Sequence, residues 1–509
     1  MSWNQKKSLD RITSRWKARD TNLTVSKLTR EMNVENVTTK NGRLIQGAHL
    51  YVTLAQSGQI HCLDSDDHAR SAIQRLAIWQ SEVACMAKAF DLPIIAFQGA
   101  RAHFLIYRPI DDDAAIARTA VLFARAISLM TAKAFNPLFG EADRFDAKSA
   151  VDLGQTVATR GGVRADSELL FLGNAANRPA KLLGGAKLLV TGRFAEAIAD
   201  DLKVELVDYA GDGDAKILKM VQAEVAAAVE KDGIDWSVEK SSTRLAADLA
   251  KWPVERFKVS GAKTRIEPTK LTRSDSKLVE AVALIIDVDG FSAYVDAAED
   301  DAVKRDAILT LDAIRQELRE VVKVDFEAVR IQYQGDNLVV VLHLPAGDAA
   351  KIAEKATEIA AAIQSSMSVT LPQVVPDASK LDVAVGLAMN DTVVARLGEY
   401  AKRNALVLGP AATKAEQIQM RLDGRQTGLD KNLYDNLSTV VQELYAWDES
   451  AKAYVATGLD ASKQARIKEA QAANGHRTVT PGPAGRVLIG APAAIPGTER
   501  VAPVRPYAR

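Results

Sequence analysis

Cysteine is almost missing from these 509 residues: Cys62 and Cys85 are the only two, and neither stands in a zinc-ligand spacing. Both read as small core residues, and a reducing compartment follows. Excess charge is missing too, with 65 basic residues against 65 acidic. That balance argues against a dedicated nucleic-acid surface, although a local basic groove can still bind a phosphorylated small molecule. No long apolar run is present either. The longest stretch, 114–139, is broken by Arg118, Arg125 and Lys133, and Met1 to Lys7 are not followed by an apolar signal core. A soluble cytoplasmic protein is expected, with no membrane and no nucleic acid among its partners. A phosphate-cradling Gly-x-x-x-x-Gly-Lys-Ser/Thr loop and a nucleophile elbow are absent. The six histidines, His49, His61, His68, His103, His343 and His476, form no helical metal pair.

What the chain does have is enough apolar material, 47% hydrophobic against 26% charged, for two sizeable cores. Glycine landmarks recur at one spacing. Gly58 and Gly290, Gly99 and Gly335, Gly154 and Gly386, and Gly173 and Gly409 stand 232 or 236 residues apart. The period is far too long for a solenoid unit and is about one domain, so a tandem duplication is inferred. An arm over 1–45 is expected to pack on the first domain, 46–234. A charged connector, 235–277, leads to the second domain, 278–455, and a charged and then Pro/Gly-rich tail, 456–509, follows. The last thirty or so residues are expected to be mobile.

In the first copy a strand over Leu50 to Leu54 is expected, then a helix from Asp67 to Phe90 and a hairpin turning at Gln98-Gly99. A helix from Asp111 to about Ala134, a strand ending at Gly154 and a helix bearing Asn177 come next. The second copy repeats the order: strand Val282 to Asp287, helix Asp301 to Val321, hairpin at Gly335, helix Asp348 to Ser366, strand Leu381 to Leu387 and the Gly409 segment. This order predicts an α+β fold rather than a doubly wound one.

The copies have lost opposite things. The second reads Ile286-Asp287-Val288-Asp289-Gly290-Phe291-Ser292 and, on its hairpin, Gly335-Asp336; in the first copy each expected carboxylate has become alanine, at Ala55 and Ala100. Conversely, the first keeps Gly173 with Asn177, Arg178 and Lys181, where the second has Thr413 and Gln417. A strand-end aspartate before a tight turn and a second aspartate on an adjacent hairpin repel each other unless a hard cation joins them, so Asp287 and Asp336 suggest a Mg²⁺ or Mn²⁺ site. Each motif alone also fits a solvated turn aspartate. Asp289 lies two residues beyond Asp287 and reads either as a further ligand or as a turn cap.

Together, in this order and spacing, the motifs resemble the class III nucleotide cyclases, of the adenylyl and guanylyl cyclase type, over roughly 46–230 and 278–450. The resemblance implies two palm domains of the ferredoxin-like type paired head to tail, with one composite cleft. It implies that Asp287, Asp336 and the carbonyl of Val288 hold two divalent cations and that Asn177 orients the ribose. Lys181 takes the place of the family's arginine, a departure that exchanges a planar fork for a point charge; Arg178, next door, is the other candidate. Positions 177 and 181 share a helix face. Lys216 stands where a second phosphate-binding lysine is expected, with a solvated turn lysine as the other reading. The reciprocal cleft is expected to be dead, and the pair to be intramolecular, in a monomer or weak oligomer.

The family reads the base from positions that here are Ala96 and Leu170, and neither purine code is present. Tyr51 and Phe97 can fill the space of a purine and stack on a pyrimidine, though Phe97 also reads as core. The combination is most similar to bacterial pyrimidine cyclases of antiphage signalling, whose product acts on a separate effector. CTP is expected slightly ahead of UTP. An adenylyl cyclase with unusual base contacts and a silent nucleotide-binding tandem remain as alternatives.

Overall fold

The structure, a computed structural model, describes residues 3–19, 22–55, 63, 65–140, 144–161, 168–297, 300–398 and 404–473. Cys62, Gly58 and the tail expected to be mobile lie outside these residues. Two nine-stranded sheets carry the repeat. The first contains β1 (Thr24–Lys27), β2 (Asn41–Ala55), β3 (Ile94–Gln98), β4 (Arg101–Ile106), β5 (Asp146–Gly161), β6 (Glu168–Leu172), β7 (Leu188–Thr191), β8 (Glu205–Asp208) and β9 (Ala215–Lys219). The second contains β10 (Lys258–Ser260), β11 (Asp275–Asp289), β12 (Val329–Gln334), β13 (Asn337–Leu342), β14 (Asp382–Leu397), β15 (Asn404–Leu408), β16 (Gln426–Leu429), β17 (Ala446–Asp448) and β18 (Ala453–Thr457). Strand order is β3-β4-β2-β5-β7-β9-β8 in one and β12-β13-β11-β14-β16-β18-β17 in the other, the same path twice.

The helices are α1 (Gln5–Lys17), α2 (Asp66–Ala89), α3 (Asp113–Met130), α4 (Asn174–Leu182), α5 (Gly192–Glu196), α6 (Gln222–Lys231), α7 (Val238–Lys251), α8 (Phe291–Asp296), α9 (Asp301–Glu320), α10 (Ala349–Ser365) and α11 (Pro410–Gln419), with shorter ones between and after. The long ones start where the sequence supplies an oxygen for the free N–H groups of a first turn. Ser65, Asp112, Asp300 and Asp348 each accept from the backbone N–H three residues on. Alternation on the strands then sends one face to the helices: Leu50, Val52 and Leu54 of β2 and Val282, Leu284, Ile286 and Val288 of β11 are buried in their domain cores. Helix α3, with the turns after it to Leu138, is long and apolar enough to cross a membrane, but it sits in the first core.

The two cores exchange strands. Leu406 and Leu408 of β15, with Val393, Ala395 and Leu397 of β14, belong to the first domain's core, whereas Val157, Leu170 and Leu172 of the first domain belong to the second's. At about 1.5–3 kcal/mol per buried large aliphatic side chain, this reciprocal burial ties the halves into one unit.

The N-terminal arm also ties them together, and differs from its expected place. Strand β1 pairs with β2 of the first domain, but α1 lies against the second. Arg11 donates from Nε to Glu317 at 2.6 Å and pairs with Asp325 at 2.8 Å, and Ser8 donates to Glu317 at 2.7 Å. Glu317 is 1% exposed, so Arg11→Ala strands a buried carboxylate. The expected result is a loss of about 2–4 kcal/mol, read as an unfolding midpoint lower by on the order of 2–4 °C in a thermal melt. The connector, too, is built in: α7 rests on α2, with Ser241 and Arg244 donating to buried Glu82 at 2.6 and 2.9 Å.

Candidate active site

Strand β11 ends at the turn of Gly290, whose φ of +82° places it in the left-handed region that favours glycine. Asp287 is thereby set at the mouth of the strand, and the β12–β13 hairpin beside it carries Asp336. Burial pushes both carboxyls up: Asp287 rises well above the usual range, helped by the charges of Asp336 and Asp289, and Asp336 is pushed up to about 6. Such a pair favours a divalent cation, which removes the cost of holding two desolvated anions together. Gln419 donates to Asp287 Oδ2 at 3.2 Å. Asp289 is turned elsewhere and accepts from the Gly424 N–H at 3.0 Å, as a loop cap. Among the described residues no group of three His, Cys, Asp or Glu side chains converges. A backbone carbonyl, such as that of the buried Val288, and a bound phosphate are ligands of the kind that would complete the shell of a cation at Asp287 and Asp336.

The first domain delivers its groups on α4. Gly173, just ahead of that helix, has φ +132°, and a Cβ there would lie 3.2 Å from the Gln155 carbonyl, so the tight entry needs glycine. Asn177 Nδ2 donates to Ser292 Oγ at 2.7 Å, across the domain boundary and five residues beyond Asp287. The backbone N–H of Asn174 meets the Asp296 carboxylate, which ties the start of α4 to α8 of the second domain. The positive charge of Lys181 favours the ionised carboxylates of Asp287, Asp336 and Asp296 and so lowers the pKa of each, which places it near all three.

Other expected site residues are placed differently. Arg178 is held by Asp212 at 2.8 Å and Asp214 at 3.1 Å, within its own domain. Lys216 lies on strand β9 rather than in a turn and pairs with Asp208 of the neighbouring β8 at 2.8 Å. Phe97 is buried in the first core, so the core reading of it holds, while Leu170 packs into the second domain's core. Ala96 is half-buried opposite His103 in the β3–β4 ladder. Tyr51 does stand at the boundary: burial and then the charge of Asp336 across it raise its phenol pKa. The reciprocal cleft is bridged, with Arg101 of the first hairpin paired to Glu416 on α11 at 2.7 Å and Ala100 buried. The α4–α8 and hairpin–α11 contacts are the two reciprocal contacts of a head-to-tail pair.

Ser292, Asp296 and Gln419 do not stand out in the sequence. Ser292 alone carries a signal there, since it closes the segment that begins at Asp287. Nor does Glu168 of β6 stand out, which accepts at 3.0 Å from both Arg315 and Arg330 of the second domain.

No protein-family model matches the chain. It is 24% identical over 494 residues to a uridylate cyclase of Pseudomonas aeruginosa, covering 91% of this chain and 94% of that protein. A uridylate cyclase of a Rhizobium species is likewise 24% identical, over 516 residues and the same shares. A solved structure described as a class III adenylyl cyclase-like ATP-binding protein from Pseudomonas aeruginosa superposes with a TM-score of 0.79 at 23% identity. It covers 92% of this chain and all of that one. The chain thus shares the fold of that class III adenylyl cyclase-like protein, an α+β architecture in which one sheet topology occurs twice in tandem.

Proposed function

We propose that the chain converts a pyrimidine nucleoside triphosphate to its 3′,5′-cyclic monophosphate and pyrophosphate in one composite cleft. The observation that carries the reading is the Asn177–Ser292 hydrogen bond, which brings the amide and cation of one domain to the paired carboxylates of the other. The reaction needs the ribose 3′-hydroxyl in line with the α-phosphorus, and the cleft supplies the parts for that geometry. Asn177, on exchanging Ser292 for the sugar, orients the ribose. Lys181 meets the negative charge that builds on the α-phosphate. Asp287 and Asp336, with the Val288 carbonyl, would hold divalent cations, Mn²⁺ or Mg²⁺, which supply Lewis acidity toward the hydroxyl and the triphosphate. Arg178 and Lys216, each engaged by aspartates of its own domain, have no part in this reading.

The pyrimidine assignment rests on Tyr51 at the domain boundary and on Ala96 and Leu170, which offer no purine contact. The two uridylate cyclase relatives support UTP ahead of the CTP expected from the two-copy organisation. The cyclic product would act on a separate effector, as a second messenger in defence against phage. ATP is the second reading, motivated by the solved neighbour described as ATP-binding. Incubation of the chain with ATP, GTP, CTP and UTP in parallel with Mn²⁺, followed by mass spectrometry, is expected to give a cyclic pyrimidine that disappears in Asp287→Ala. A cyclic purine overturns the base assignment, and no product from any of the four supports a silent module.

A further inference from the structure

Two histidines lie buried in the first domain with no part in the chemistry above. His49 of β2 is fully buried and His103 of β4 is 5% exposed. Burial holds both neutral: His49 is pushed down to about 3, helped by the charge of Arg193, and His103 well below the usual range. They form a chain. His49 Nε2 is 3.1 Å from Thr156 Oγ1, and His49 Nδ1 is 3.0 Å from His103 Nε2. With the Thr156 hydroxyl donating to His49 Nε2, His49 carries its proton on Nδ1 and donates to His103 Nε2, which puts the remaining proton on His103 Nδ1; run the other way, the chain leaves His103 Nδ1 an acceptor.

The position of His103 gives a proton on Nδ1 a use. In the ladder it stands directly opposite Ala96, and on its other side it stands opposite Tyr51, whose ring stacks on it at 4.1 Å with planes 7° apart. Phe171, next to Leu170, meets it edge-on at 5.8 Å. His103 is therefore bordered by Ala96, Tyr51 and the strand of Leu170, the residues assigned above to the base. We infer that His103 selects the base, its Nδ1–H donating to the carbonyl at position 4 of uracil, with His49 and Thr156 as positioning residues that hold the tautomer. Cytosine presents an amino group at that position, a donor against a donor, and is rejected. The inference rests on the pyrimidine reading.

The test is the ratio of kcat/KM for UTP over CTP. The parent is expected to favour UTP by about 10²-fold, because a site built to hydrogen-bond a group leaves its own donor unpaired with the wrong base. His103→Phe keeps the stack on Tyr51 and removes the donor, and is expected to bring the ratio to within about threefold of unity. Thr156→Val does not touch the base but frees the tautomer, and is expected to lower the ratio about tenfold. A role in packing alone would lower both substrates equally and leave the ratio unchanged, which overturns the inference. A parent that cyclises a purine overturns the pyrimidine reading instead. Should His103→Phe fail to fold, ¹⁵N-histidine spectra of the parent decide. A non-hydrolysable UTP analogue is expected to shift the ring nitrogens of His103 more than its CTP counterpart does, and equal or absent shifts overturn the assignment.

Discussion

Asp336→Asn is expected to lower cyclic-product formation by about 10³-fold or more and, at the same time, to stabilise the metal-free protein at pH 8. Both effects have one cause. Desolvation pushes the Asp336 carboxyl up to about 6, so the fold penalises its ionised form. A raised carboxyl pKa means that the protonated form is favoured in the fold. The stability it contributes is fully present below the unfolded pKa and is lost as pH rises through about 6. At pH 8 the parent has lost it and the amide has nothing to lose, a difference of about 1–3 kcal/mol, shared with Asp287. At pH 4.5 most of the difference is gone. Denaturant melts with a chelator at the two pH values check this. A variant less stable at both would mean that Asp336 serves the fold and not a cation. Adding Mn²⁺ at pH 8 should stabilise the parent and leave the variant unchanged, since a cation discharges the repulsion that the amide lacks.

Lys181→Ala is expected to lower kcat about 10²- to 10³-fold with KM within about threefold, because its charge is needed most where negative charge builds in the transition state. Lys181→Arg, which restores the charge, is expected to lie within about tenfold of the parent. Steady-state kinetics with the preferred triphosphate separate the two parameters. An equal loss in kcat/KM through KM alone would make Lys181 a ground-state contact. Removal of Arg178, already occupied by Asp212 and Asp214, is not expected to reproduce the Lys181→Ala loss.

Much of the fold is legible in the chain because its signals are local. Ser65, Asp112, Asp300 and Asp348 mark helix starts, and the turns at Gly99, Gly290 and Gly335 all need positive φ. Alternation along β2 and β11 marks the central strands of both sheets. The arm departs from its expected place for a corresponding reason: α1 is amphipathic, but nothing in Arg11 says that its partners are Glu317 and Asp325, some 300 residues away. The site divides in the same way. Asp287, Asp336, Asn177 and Lys181 stand out because a duplicated chain shows what each copy kept. Arg178 and Lys181 are both cations on one helix, and only the fold separates them, by placing Asp212 and Asp214 beside the first and the second domain's carboxylates before the second.

By itself, then, the sequence determined the two copies, their order of elements, and which copy keeps acids and which keeps an amide and a cation, because period, capping and turn chemistry act over a few residues. Only the tertiary structure decided that Asn177 reaches Ser292, that Arg101 and Glu416 bridge the reciprocal cleft, and that Thr156, His49 and His103 join into a chain behind Tyr51. Those contacts link residues from about 50 to more than 300 positions apart, and their geometry comes from how the two sheets face each other, which no local pattern encodes.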